Sequence, residues 1–191
     1  MTHDLPPGTD KRTWRTHLRA RRDALSPTLR AEWSLQLAGH GLEALRERAA
    51  GAVVAAFWPM RSEVDPRPLA MALAGAGASL CLPAFVGDDM LFRAWSPADE
   101  LVAAGFSTFE PRADAAPVVP TLVLAPLLGF DRRGVRLGWG KGCYDRYLAA
   151  RSPRPFVVGV AFSCQEVAEL PADAHDQRLD AVVTERGCRR W

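Results

Sequence analysis

Val118-Val-Pro-Thr-Leu-Val-Leu-Ala-Pro-Leu-Leu128 carries no charge, and it breaks into the glycine- and arginine-rich turn Gly129-Phe-Asp-Arg-Arg-Gly134. An apolar run of this length, bounded by turn formers, reads as a strand buried on both faces. A helical segment is expected after it from about Gly142 to Ala150, and then another apolar strand from Phe156 to Phe162. Strand, turn, helix and strand in that order make the repeating unit of a parallel α/β sheet. The same alternation extends outward. Val53 to Trp58 is a wholly apolar strand ending at Pro59, and Asp65-Pro66 is a cap signal for a helix reaching about Ala74. Ser79 to Phe85 and Met90 to Trp95 are strands around a Gly-Asp-Asp turn, and Ser96-Pro97 caps a short helix. Gln165 to Leu170 is read as a short helix and Ala181 to Thr184 as the last strand.

Upstream, a helix starts near Asp10 with an apolar stripe of Trp14, Leu18 and Leu25 and a basic stripe of Lys11, Arg15, Arg19 and Arg22. Ser26-Pro27, an N-cap followed by proline at the first helical position, opens a second helix running towards Ala50. The expected fold is α/β, a single domain over residues 1–191 with a mainly parallel sheet and helices on both faces, residues 1–9 forming a flexible tail. At 191 residues one domain is the default.

Composition narrows the function classes. Apolar residues make up 48% and charged residues 24%, enough apolar surface to offset the ordering entropy of a packed core. Net charge is +2, which gives no reason to expect nucleic acid as a partner. Its distribution is uneven: residues 11–30 hold seven basic side chains against one acid, and residues 131–154 seven against two. Residues 52–122 hold four against eight. Two basic blocks either fold together around a small anion or stand as separate solvated faces. The four cysteines, Cys81, Cys143, Cys164 and Cys188, form no Cys-x-x-Cys pair, and no histidine pair has zinc-site spacing. The start of the chain has no apolar signal segment, and no run is long enough to span a bilayer. A cytoplasmic protein without membrane contact is expected.

Ligands of open α/β sheets bind beyond the carboxyl ends of strands. Gly134-Val-Arg-Leu-Gly-Trp-Gly-Lys-Gly-Cys-Tyr-Asp-Arg146 stands at such a place. Glycines at 138, 140 and 142 permit positive-φ turns and close backbone approach, so the loop amides with the following helix N-terminus make an anion cradle. Arg136 and Lys141 add cations there, and Asp145 falls in the first helical turn, within reach of a magnesium ion. The loop is neither a Walker A motif nor a dinucleotide fingerprint, and the alternative is a turn that merely opens a helix. Glu63 and Asp65 follow the other buried strand. A carboxylate there can accept hydrogen bonds from the amino-imino edge of a heterocycle, although for Asp65 helix capping is the preferred reading. Trp58 and Trp139 are candidates for stacking on a ring.

Lys11-Arg-x-x-Arg15, Glu63-Val-Asp65, Phe109-Glu-Pro111, Gly129-Phe-Asp-x-x-Gly-x-Arg-Leu-Gly138 and Gly140-Lys-Gly-x-Tyr-Asp-Arg146 occur in that order, followed by Asp176-x-x-x-Asp180 and Thr184. From about Lys11 to Glu185 the chain resembles the 5-formyltetrahydrofolate cyclo-ligase family, also called 5,10-methenyltetrahydrofolate synthetases. The resemblance implies ATP-dependent closure of 5-formyltetrahydrofolate to 5,10-methenyltetrahydrofolate with release of ADP and phosphate. Lys11 and Arg15 match the family's N-terminal basic residues on the ATP phosphates. Arg136, Leu137, Gly138, Trp139, Gly140, Lys141, Gly142, Cys143 and Tyr144 match its glycine-rich ATP loop, with Arg136 and Lys141 as the cations expected to serve catalysis. Asp145 and Asp180 match positions serving Mg²⁺. Trp58, Glu63 and Tyr144 fall in the pocket for the folate, which is expected in monoglutamyl or polyglutamyl form. Cys143 stands where the family usually has an aromatic residue, and Trp139 falls at a variable position. A monomer or weak homodimer is expected. A sugar-phosphate isomerase or transferase, and a binding module without turnover, are the competing readings; the Lys11/Arg15 pair speaks against the former, since a phosphate monoester does not need a second basic block.

Overall fold

The computed structural model describes residues 4–105 and 108–191. Helix α1 (Lys11–Asp23) begins where Asp10 leaves extended conformation, and its carboxylate accepts the amides of Arg12 and Thr13 at 2.8 and 3.0 Å. That satisfies two of the orphan donors of a helix start. Helix α2 (Pro27–Ala49) is capped by the Ser26 hydroxyl, which accepts from the Leu29 amide at 3.2 Å.

The strands, in chain order, are β1 (Val53–Ala55), β2 (Ser79–Val86), β3 (Asp89–Ala94), β4 (Leu101–Ala104), β5 (Thr108–Pro111), β6 (Pro117–Val118), β7 (Leu122–Pro126), β8 (Gly129–Asp131), β9 (Arg136–Leu137), β10 (Phe156–Val160), β11 (Glu166–Val167), β12 (Ala181–Thr184) and β13 (Gly187–Arg190). Helix α3 (Arg67–Gly75) joins β1 to β2, and α4 (Cys143–Ala149) precedes β10. Eight strands form one sheet in the order β13-β12-β10-β7-β1-β2-β3-β6. The five central ones, β12, β10, β7, β1 and β2, are mutually parallel, and antiparallel strands finish both edges. The chain leaves β1 for β2 on one side, then returns to β7 on the other side and continues outward. The order therefore reverses between β1 and β7, where a doubly wound sheet opens its ligand crevice.

Burial on both faces follows from the composition of these strands: Val54, Ala55, Leu122, Val123, Leu124 and Ala125 are all buried. Helices α2 and α3 cover one face, where Leu37, Leu45, Leu69 and Leu73 join the main core. Gly41 lets them approach closely, since a Cβ there would come within 2.6 Å of Leu69 Cδ1. Fully burying each such leucine contributes about 1.5–3 kcal/mol. Tyr147 and Leu148 of α4 cover the other face with Phe92, Phe130 and Val157. A smaller sheet, β11-β8-β9, and α1 close over the carboxyl end, where Trp14 and Leu18 pack on Leu128, Val135 and Leu137.

The α/β class, the mainly parallel sheet and the two-sided helical cover agree with expectation, and several local readings do not. The run 118–128 is two strands, β6 and β7, separated at Pro120. The run 53–58 is a strand only over Val53–Ala55, with a last bond from the Ala56 amide to the Cys81 carbonyl at 3.0 Å. Ser96-Pro97 opens a turn in which Asp99 accepts the Ser96 amide at 2.7 Å, followed by the β4–β5 hairpin rather than a helix. Residues 165–170 hold a 3-10 turn (Ser163–Gln165) and β11. Beyond Ala181–Thr184 the chain turns back as β13. The first three residues of the expected tail lie outside the described ones; from Asp4 on it is anchored, as the Asp4 carboxylate accepts the Ala168 amide at 2.9 Å and Leu5 packs on the α1 cluster.

Candidate active site

Two connections meet at the crevice between β1 and β7. After β1, the chain runs through Trp58 and Pro59 to a tight turn at Met60–Glu63, in which Arg61 adopts φ 53. A left-handed arginine is strained, typically by ~1–3 kcal/mol, so the surrounding turn holds it there. The turn buries Glu63, whose Oε2 accepts the Met60 amide at 2.9 Å and whose Oε1 accepts Trp139 Nε1–H at 2.8 Å. Buried Arg22 stands 3.9 Å from the same Oε1 and lies 5.4 Å from the Trp139 ring centroid. Burial raises the Glu63 carboxyl above the ordinary carboxylate range, against the pull of the Met60 amide, the Trp139 N–H and the Arg22 charge. Burial likewise lowers the Arg22 guanidinium, partly offset by Glu63.

After β7 comes the β8–β9 hairpin, pinned by fully buried Asp131, which accepts the amides of Arg133, Val135 and Leu170. The hairpin delivers Arg136 and the glycine loop to the carboxyl edge of the sheet. Gly140 (φ +103) and Gly142 (φ +65, the N-cap of α4) occupy the left-handed region. A Cβ on Gly140 would come within 3.1 Å of Arg15 Cζ, so here glycine provides close approach as well as the turn. Arg15 Nε donates to the Gly138 carbonyl at 2.9 Å, which joins the two basic blocks of the sequence by direct contact.

Arg136 is nearly buried. Its NH2 donates to both oxygens of Asp145 at 3.0 Å, and its NH1 donates to the Pro126 carbonyl at 3.2 Å. Its Nε and the Tyr144 hydroxyl are buried without hydrogen-bond partners. The Tyr144 ring lies 5.5 Å from Arg136 Cζ and packs edge-on against Phe92. Burial holds the Tyr144 hydroxyl strongly towards its neutral, proton-donating form. Unpaired buried polar atoms are costly, so these two donors call for a partner, a ligand group or a water. Lys141 is exposed on the loop, and Cys143 Sγ faces the Lys141 carbonyl at 4.0 Å.

These residues are built into a pattern with known relatives. The model of the 5-formyltetrahydrofolate cyclo-ligase family matches residues 7–185. The chain belongs to that family. The 5-formyltetrahydrofolate cyclo-ligase of Escherichia coli K12 is 34% identical over 182 residues, which cover 91% of this chain and 100% of the relative. The Haemophilus influenzae cyclo-ligase is 28% identical over 88% of this chain and 94% of its own. The solved 5,10-methenyltetrahydrofolate synthetase of Aquifex aeolicus has a TM-score of 0.80 at 32% identity, covering 94% of this chain and 92% of that one. The protein is therefore an enzyme, a ligase.

Within the cyclo-ligase fold, contacts join Arg15 to Gly138, Trp139 to Glu63 and Arg136 to the Tyr144 ring; Gly140, Lys141, Gly142 and Cys143 follow on the same loop, whereas Leu137 is buried in the α1 cluster. Lys11 lies on the same helix face, but its ammonium is held by Asp173 and Asp176 at 2.7 and 2.6 Å. Partial burial would lower its pKa; the two carboxylates outweigh this and raise it. Trp58 lies beside the crevice under the Arg67 guanidinium, 4.7 Å from its ring centroid, and edge-on to Phe109 and Trp95.

The expected pairing of Asp145 with Asp180 is not formed. Asp180 sits at the amino end of β10 and β12, where it accepts the Val157 amide and Arg154 NH1, each at 2.7 Å. Asp145 is at the carboxyl edge, where Arg136 and the Gln177 amide take its oxygens. The ligand atoms of Asp173, His175 and Asp176 lie within 4.8 Å of one another, but Lys11 already bonds both carboxylates. Among the described residues the acids thus do not present a ready magnesium site. The link from Trp139 to Glu63 had no signal in the sequence, because 76 positions separate the two. No helix of the described chain is long and apolar enough to cross a membrane.

Proposed function

We propose that the enzyme closes 5-formyltetrahydrofolate to 5,10-methenyltetrahydrofolate, driven by ATP, with ADP and phosphate as the other products. The observation that carries this reading is the Trp139–Glu63 hydrogen bond. It joins a loop suited to phosphates to an acid suited to a heterocycle, so one crevice serves both halves of the reaction. Arg15, Arg136, Lys141 and the loop amides supply positive charge for the nucleotide. Glu63 and Trp58 receive the pterin, and the Tyr144 hydroxyl and Arg136 Nε supply free donors between them.

A formamide oxygen is a poor leaving group, so direct attack on the formyl carbon by the neighbouring folate nitrogen stalls. Transfer of the γ-phosphoryl group to that oxygen breaks the bond to ADP and forms an iminium phosphate. The nitrogen then attacks the formyl carbon and gives up its proton, and the carbon–oxygen bond breaks as phosphate leaves. Phosphoryl transfer asks a protein mainly for alignment and charge neutralisation. No protein nucleophile is needed, and Cys143 has no covalent role. Magnesium enters this reading as an ion carried on the nucleotide phosphates, and no step depends on protein ligands to it. The protein works in the cytoplasm.

Incubation with 5-formyltetrahydrofolate and Mg-ATP, followed by absorbance of the methenyl product and by ADP release, tests the reading. Product and ADP should rise in equal amounts. Ligand binding without turnover would leave a binding module in place of an enzyme, and turnover without ATP consumption would overturn the chemistry.

A further inference from the structure

The buried side of α1 carries Trp14 and Leu18 and then, one turn on, the guanidinium of Arg22, which is fully buried. Arg22 Nε donates to the Ser62 hydroxyl at 3.1 Å, and that hydroxyl donates in turn to the Asp23 carboxylate. Arg22 Nη1 stands 3.9 Å from Glu63 Oε1, an ionic contact too long for a hydrogen bond, and Nη2 is buried without a partner. Its Cζ lies 5.4 Å from the centroid of Trp139, whose Nε1–H donates to the same Glu63 oxygen. Arg22 thus stands against both partners of the bond that joins the glycine loop to Glu63. Packing alone does not ask for a charge here. Position 22 continues an apolar stripe, and exchanging a buried ion pair for apolar side chains of similar volume is often neutral or stabilising. The unpaired Nη2 adds to the cost of burial.

We infer that Arg22 is a positioning residue for the reaction: from α1 it holds the Glu63 carboxylate and the Trp139 ring in the arrangement that receives the pterin. This role rests on the proposed function, which seats the pterin at Glu63. To accept two N–H bonds from the amino-imino edge, Glu63 must be an anion with a lone pair left on each oxygen, since the Met60 amide and Trp139 N–H take one each. Burial works against the anion. Facing it are Arg22 from α1, the Trp139 N–H of the glycine loop and the neutral Tyr144 hydroxyl of α4. Arg30, Arg61 and the Asp65–Arg67 pair line the cleft outside it. Arg22 in turn is faced by Asp23, Glu63 and Cys164, and unfavourably by Arg30. Of the cations around Glu63, Arg30, Arg61 and Arg67 reach solvent while Arg22 does not, so the charge of Arg22 is the least screened.

The test is the affinity for 5-formyltetrahydrofolate, measured by calorimetry without ATP from about pH 6 to 8.5. The proteins compared are the wild type, Arg22→Met, Arg22→Lys, Glu63→Gln and Arg22→Met/Glu63→Gln. Removing the cation should move the loss of affinity at low pH upward by about one pH unit. Arg22→Met should therefore bind about tenfold more weakly than the wild type at the acid end of the range and nearly as well at the alkaline end. Arg22→Lys, which keeps the charge, should recover most of the loss. In the Glu63→Gln background, Arg22→Met should cost less than about twofold more, because Arg22 acts through that acid. A profile for Arg22→Met offset by one constant factor at every pH would make Arg22 a residue of the fold alone, and equal losses in the two backgrounds would mean that it acts apart from Glu63; either overturns the inference. If Arg22→Met is unstable, Arg22→Gln, which can keep the bond to Ser62, takes its place. A wild type that binds no 5-formyltetrahydrofolate, or a Glu63→Gln variant that binds it as tightly at every pH, would instead overturn the proposed function.

Discussion

Replacing Arg136 by glutamine separates two roles that its position combines. Its side chain is 4% exposed, makes two 3.0 Å bonds to Asp145 and one 3.2 Å bond to the Pro126 carbonyl, and leaves its buried Nε without a partner. Breaking a buried ion pair costs about 3–5 kcal/mol. The lower end applies here, because Asp145 is 18% exposed and keeps the Gln177 amide. For a chain of this length ~3 kcal/mol corresponds to a fall in Tm of about 6–12 °C. Loss of a preorganised charge at the transferring phosphoryl group adds about 2–4 kcal/mol to the barrier, a 30- to 1,000-fold fall in kcat/KM. The assay is steady-state turnover well below the variant's Tm, with calorimetry on the same sample. Lys141→Ala is the control: Lys141 is exposed on the loop, so turnover should fall while Tm holds. If Arg136→Gln lowered Tm with kcat/KM intact, Arg136 would be a structural residue; if neither moved, the reasoning from its bonds would be wrong.

Glu63→Gln should abolish a pH dependence. With the folded pKa raised, the native state holds more protons than the unfolded chain, so unliganded wild type loses stability as pH rises through that window, while substrate affinity, which needs the carboxylate, is lost as pH falls through it. Affinity measured by calorimetry and stability by denaturant titration should show both slopes in the wild type and neither in the variant; equal slopes in the two proteins would remove Glu63 from the pocket. Gly140→Ala puts a methyl group 3.1 Å from Arg15 at φ +103 and should raise the KM for ATP at least tenfold with ~1–2 kcal/mol lost in stability. An unchanged KM would show that the Arg15–loop contact is not used. Asp180→Asn should lower Tm by a few degrees through Arg154 and the Val157 amide, leaving the Mg²⁺ concentration for half-maximal rate unchanged; a shift in that concentration would restore Asp180 as a metal residue.

What was legible in the sequence was whatever local chemistry decides. Asp10 and Ser26 cap their helices as their side chains and following residues require, and the glycines at 140 and 142 take up the positive φ that only glycine adopts freely. Where tertiary contacts decide, local reading failed. Gln165 looked helical, but its side chain is spent on the Leu127 and Leu128 carbonyls, which fixes a turn there. Arg22 falls on the basic stripe with Lys11, Arg15 and Arg19, yet it is buried, four residues on from Leu18 in the apolar stripe, because Ser62 and Glu63 lie beneath it. Arg136, expected as a cation of the glycine loop, is buried because Asp145 and the Pro126 carbonyl hold its guanidinium. Asp180, matched to a magnesium position by resemblance, precedes a parallel strand, which puts it at the amino end, away from the crevice.

The central claim is that the formyl oxygen accepts the γ-phosphoryl group of ATP, and oxygen labelling tests it most directly. With 5-formyltetrahydrofolate carrying ¹⁸O in its formyl group and Mg-ATP of natural abundance, mass spectrometry of the released phosphate should find one ¹⁸O per phosphate, in step with formation of the methenyl product. Unlabelled phosphate, with the label recovered in water, would mean that ATP is hydrolysed apart from ring closure and would contradict the mechanism.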